Sequence, residues 1–155
     1  MSDTSANTSL LGIVLMTAVV VGMATAVGAV VGVQPPQPAP TAVFDLDAEP
    51  DGTVTLTHRH GDSLDPASLS VHVTVDGEPL ADQPPVPFFS AEGFVSGPTG
   101  AFNSAKTTEW DPGETASFRI AGSNTPVPKP GAELEVRLTT DAGHVTTLQT
   151  VVGAS

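Results

Sequence analysis

The sequence predicts a mainly β chain preceded by one apolar helix. Three observations carry this. Residues 10–33 form an uninterrupted apolar run. From Thr41 onward, apolar side chains recur at every second position in short stretches closed by turn residues. Between the two lies Gln34-Pro-Pro-Gln-Pro-Ala-Pro40, where four prolines in seven residues stop any helix.

Leu10 to Val33 spans 24 residues whose only polar side chains are Thr17 and Thr25. At ~1.5 Å per residue a helix of that length reaches about 36 Å, enough for a hydrocarbon core of ~30 Å with some tilt. A soluble helix would carry a polar stripe at a 3.6-residue period, and none is present. The predicted organisation is a short polar leader (1–9), a transmembrane helix (10–33), a proline linker (34–40) and a β domain (41–155). The competing expectation is a secretory signal peptide cut after Ala24-Thr25-Ala26. Two features oppose it. The first nine residues hold no Lys or Arg, and the apolar run continues through Val33. The linker favours extended polyproline II and acts as a semi-rigid spacer.

Small residues follow two rows along the helix. Ala18, Gly22 and Ala26 form one; Ala24, Gly28 and Gly32 form the other, with Gly28 and Gly32 as a GxxxG pair. Small side chains let helix backbones approach closely, so these rows are candidate self-association surfaces. No Lys or Arg lies near either end to set orientation by charge. Most of the chain follows the helix, so the β domain is expected outside the cell.

Within the domain, Ala42–Ala48 alternates through Phe44 and Leu46. Asp51-Gly52 turns it into Thr53–His58, which alternates through Val54 and Leu56. Leu69–Val75 is the next strand, closed by Asp76-Gly77. Thr115–Ile120 and Glu133–Leu138 follow, and Asp141-Ala-Gly143 turns the last back into His144–Val152. Six short, mostly antiparallel strands, each apolar on one side, close naturally as an immunoglobulin-like β-sandwich. Residues 78–108 fit no period and hold Phe88, Phe89, Phe94 and Phe102 among five prolines. This insertion is expected to cover the core, an exposed adhesive patch being the alternative.

Composition narrows the function. The 155 residues carry 17 acidic against 5 basic side chains, a net charge of −12, yet the mean hydropathy is +0.11. No charge lies between Asp3 and Asp45, so acid and apolar weight are separated along the chain. This excludes a basic nucleic-acid-binding face. The absence of Cys excludes disulfides, thiolate zinc sites and cysteine nucleophiles. At molar salt, where the Debye length falls to about 3 Å, carboxylates keep a surface hydrated while their repulsion is screened. Such a composition looks like that of a halophilic organism's surface protein, a mesophilic acidic domain being the alternative.

No cofactor and no catalysis are expected. The spacing supports no Ser/His/Asp set, and there is no phosphate-binding glycine motif. His58, His60 and His72 are the side chains that could supply a zinc site, with His58 and His60 on one face of a strand. The simpler expectation is a half-exposed pair beside a turn, with Arg59 between them opposing a divalent cation. Asp45, Asp47, Glu49 and Asp51 lack the EF-hand glycine and final Glu, and read as a solvated strand face.

Thr8-Ser-Leu-Leu-Gly-Ile-Val-Leu-Met16, followed by an Ala/Val/Gly helix, resembles the N-terminus of haloarchaeal type IV pilins. Gly52-Thr-Val-Thr-Leu-Thr-His-Arg-His-Gly-Asp-Ser-Leu64, Leu69-Ser-Val-His-Val73 and Trp110-Asp-Pro-Gly-Glu-Thr115 are similar, in the same order, to later strands of that family. This chain has Leu where the family's N-terminal run has Pro, and no basic residue before it. The resemblance implies a cell-surface subunit stored in the membrane and assembled with its own copies and other pilins into adhesive filaments. It also implies a prepilin peptidase as a partner, cutting within Ala6, Asn7, Thr8, Ser9 and Leu10.

Overall fold

The computed structural model describes residues 35–106 and 108–154. The leader, the apolar helix with its Ala18/Gly22/Ala26 and Ala24/Gly28/Gly32 rows, and the cleavage region 6–10 lie outside the described residues. Among the described residues, no helix is long and apolar enough to cross a membrane.

The domain is mainly β. Its strands are β1 (Ala42–Ala48), β2 (Thr53–Gly61), β3 (Ser70–Val75), β4 (Glu78–Pro79), β5 (Thr115–Arg119), β6 (Glu133–Thr140) and β7 (Gly143–Val151). They form two antiparallel sheets, β1-β2-β5 and β4-β3-β6-β7. β1, β2, β3, β5 and β6 bury alternate residues, so the period-two pattern becomes one apolar layer between the sheets. Sheet one contributes Phe44, Val54, Leu56 and Phe118; sheet two contributes Val71, Val73, Leu134, Val136 and Leu138.

Two turns depend on their glycines. Gly52 has φ +94°, and a Cβ there would meet the Ile120 carbonyl oxygen at 2.4 Å. Asp76 and Gly77, with φ of 51° and 79°, make the tight turn from β3 into β4.

The insertion joins the fold as a flap over two sheet edges. The Val95 N–H donates to the Arg119 carbonyl (2.9 Å), and Thr99 pairs antiparallel with Ser117, so the flap runs along the free edge of β5. Gln83 closes the edge of β3. Its side-chain oxygen accepts from Val73 N–H (2.7 Å) and its amide donates to the Val73 carbonyl (2.9 Å). Past the two-residue β4, one side chain thus bonds both backbone groups of Val73, whose carbonyl also accepts from Leu80 N–H (3.1 Å). Asn124, fully buried, ties the flap to the β5–β6 connection through Asp82 and Gly93. Phe88, Phe94 and Phe102 point into the core, as expected of a cover, whereas Phe89 stays 61% exposed.

Candidate functional site

Polar and aromatic side chains converge at the end of the domain where the linker enters. The cause is a bulge in β2. Val43 pairs with His60 and Phe44 with His58, leaving the Arg59 backbone without an opposite residue on β1. The strand's alternation therefore breaks after His58. His58 faces the core and is fully buried, while Arg59, His60 and Gly61 all face water.

His58 lies opposite Phe44, with ring centroids 4.7 Å apart, and edge-on to Trp110 at 6.1 Å. Its Nε2 is 2.8 Å from the Asp62 carbonyl, an acceptor only, so Nε2 carries the proton and donates. Nδ1 is buried without a partner. Trp110 contacts Phe44 at 4.8 Å and Phe102 at 5.2 Å, and Phe102, Phe118, Phe94 and Phe88 continue the row at 5.6–5.7 Å. An aromatic spine thus runs from the linker end of the core to the flap.

The turn Trp110-Asp-Pro-Gly-Glu114 locks this end. The Trp110 indole N–H donates to the Glu114 carbonyl (3.1 Å). The Gly113 N–H donates to the His58 carbonyl, and the His58 N–H to the Glu114 carbonyl. One Glu114 carboxylate oxygen accepts from Asp111 N–H and the other from Lys106 Nζ, both at 2.9 Å. The Asp111 N–H first, and then the Lys106 ammonium, hold the Glu114 carboxyl below its usual range. The linker joins the same end through Thr41, whose N–H donates to the Asp62 carboxylate and whose carbonyl accepts from Asp62 N–H.

The depressed Glu114 carboxyl has a direct consequence. Its interactions stabilise the fold above the ordinary Glu pKa of about 4.3 and are lost as pH falls through the lower folded value. A Glu114→Gln variant, which cannot titrate, is expected to lose less of its melting temperature than the parent between pH 5 and pH 3. Thermal melts followed by far-UV circular dichroism check this. Parallel pH profiles would show that Glu114 carries no such linkage.

The three histidines do not come together. His58 is inside and His60 outside, on either side of the bulge. The expectation of both on one strand face, half-exposed, is corrected by that extra residue. His72 is exposed on β3, in the other sheet. The alternating carboxylates are dispersed as well. Asp45 pairs with Arg59 and Asp47 is exposed. Asp51 accepts from the Thr53 N–H, which lowers its carboxyl, and lies 3.9 Å from Arg119. Among the described residues, no group of three or more His, Asp or Glu side chains could hold a metal ion. An open groove of about 420 Å³ beside linker residues Gln37–Pro40 is edged by Asp62, Asp65, Glu109 and Asp141. The arrangement at this end is a structural lock between linker, sheets and flap.

Sequence reasoning missed the inward turn of His58 and the tying roles of Gln83 and Asn124. A bulge leaves no period, and a single amide within a proline-rich run looks like any loop residue. Asp111-Pro-Gly113 carries a turn signal in its residue types, which places the turn after Trp110 without help from tertiary structure.

No protein-family model matches the chain, and no curated protein matches it.

Proposed function

We infer that the chain is a pilin-like structural subunit of the cell surface. It is stored in the membrane through residues 10–33 and assembled into type IV pilus-like filaments for attachment, with the acidic domain outside the cell. The observation that carries this reading is the division of the chain. A 24-residue uncharged apolar segment is joined by a proline spacer to a domain holding every acidic residue but Asp3. Lipid or its own copies suit the first part, and water the second.

The finer fold assignment belongs to the same reading. A β1-β2-β5 sheet facing a β4-β3-β6-β7 sheet has the strand order of an immunoglobulin-like sandwich. The flap lies beside β5, where such domains carry a further strand. Two antiparallel sheets locked at the linker end suit a rigid outer domain held away from a helical core. The partners that follow are further copies of the chain, other pilins, membrane lipid and a processing peptidase.

Sequencing of the mature N-terminus tests the proposal. A start between Ala6 and Leu10 is expected, immediately ahead of the apolar run. A start near Val27 would overturn it in favour of a secreted domain. An intact Met1 would favour a single-pass anchored binding module that never assembles, a reading favoured by the missing basic residue before the apolar run.

A further inference from the structure

Two polar side chains are fully buried among the described residues, Asn124 and His58. Asn124 bonds through both ends of its amide. His58 does not use both ring nitrogens. The ring packs against Phe44 and Trp110, and Nδ1 is left without a partner. A buried unpaired nitrogen costs stability, and an apolar side chain of similar size would fill the same space without it. Packing therefore gives no reason for an imidazole here. What the imidazole adds is the Nε2–H donated to the Asp62 carbonyl at 2.8 Å.

Asp62 is exposed and follows directly on the end of β2. It grips the linker twice. Its N–H donates to the Thr41 carbonyl (2.8 Å), and its carboxylate accepts from the Thr41 N–H (3.0 Å). The approach is close. Gly61 pairs with Ala42, and a Cβ on Gly61 would run into the Thr41 carbonyl oxygen. Ala39 and Pro40 are half-buried, and Ala39 lies against Gly143, the first residue of β7. The compact domain accordingly begins at Gln37. From that residue on, the proline spacer is seated on both sheets.

We propose that residues 37–41 are a strap clipped to the domain, and that His58 is the latch of the clip. The Nε2–H fixes the Asp62 carbonyl, and so presents the Asp62 N–H and carboxylate to Thr41. His58 is thus a positioning residue for the strap. The clip is made of few bonds, and Thr41 and Asp62 both lie at the surface, so it opens at less cost than the sheets do. Closed, strap and domain move as one body, and a pull on the linker passes into β1 and β2. Open, the stretch Gln37-Pro-Ala-Pro-Thr41 becomes a swivel. The clip stands whether or not the chain assembles into filaments.

The chain has no Cys, so Gln37→Cys carries a single nitroxide on the strap of the full-length chain in detergent micelles. Its electron paramagnetic resonance spectrum is expected to show the same slow motion as a label on β3 at Ser70→Cys. Adding His58→Leu or Asp62→Ala to the Gln37→Cys chain is expected to make the strap label fast. Asp62→Asn, which keeps an acceptor for the Thr41 N–H, is expected to leave it slow. In His58→Leu the Asp62 amide should exchange about tenfold faster, as for the loss of one hydrogen bond, while β3 and β6 keep their protection and the thermal melt stays close to the parent's. A strap label already fast in the parent would overturn the clip, and so would one that stays slow in Asp62→Ala. A strap freed by Asp62→Ala but still held in His58→Leu would overturn the role of His58. A His58→Leu chain that melts far below the parent would make the imidazole a core residue and overturn that role as well.

Discussion

Replacing Trp110 with Ala should lower the free energy of unfolding by about 3–5 kcal/mol. The indole is fully buried and is the largest such side chain in the core. It touches Phe44 on β1, His58 on β2 and Phe102 in the flap, and it fixes the turn back to Glu114. Truncation removes apolar contact with three separate elements and leaves a cavity that none of them can fill alone. It also removes the donor to the Glu114 carbonyl. Domains of this size are stable by only about 5–15 kcal/mol, so the variant should sit near the folding threshold. Urea unfolding followed by far-UV circular dichroism, with salt fixed, measures the difference. A loss under about 1 kcal/mol would show that the aromatic spine does not hold this end together.

Asn124→Ala should cost about 3 kcal/mol, and the damage should be local. The Asn124 side-chain oxygen accepts from Asp82 N–H (3.2 Å) and Thr125 N–H (2.9 Å). Its amide donates to the carbonyls of Asp82 (2.9 Å) and Gly93 (3.2 Å). All four functions of one amide are used, and each partner is a backbone group that has to be satisfied. Each group left unpaired in a buried place costs about 1–3 kcal/mol, and water entering the cavity recovers part of that. Hydrogen exchange should speed up across residues 82–95, while β3 and β6 keep their protection. Asn124→Asp sets a buried carboxylate against the carbonyls of Asp82 and Gly93 and should cost at least as much as the Ala variant. Unchanged exchange in the flap of Asn124→Ala would show that the flap is held by other means.

What could be read in advance follows from which forces leave a period. Alternation placed the strands 42–48, 53–58, 69–75, 115–120, 133–138 and 144–152, and six observed strands lie within two or three residues of these bounds. A buried face imposes period two over its whole length. The short β4 escaped because two residues, one of them Pro79, show no alternation. β2 runs on to Gly61 because the bulge at Arg59 lets pairing continue out of phase. The flap was illegible for a different reason. It is shaped by individual amides, Gln83, Asn103 and Asn124, each bonded to backbone, and such bonds depend on tertiary position alone. Three of its four phenylalanines could be expected inside on hydrophobicity; which one stays out could not.

The burial of Trp110 also fixes what light can report about this protein. The chain has one Trp and no Tyr, so a single indole dominates its near-ultraviolet emission. That indole is shut in the core, against an imidazole and two phenyl rings. Its emission colour therefore registers the integrity of the linker end of the domain. A contact made on the outer surface away from that end leaves it unaltered, so assembly and unfolding are optically separable in the unmodified chain.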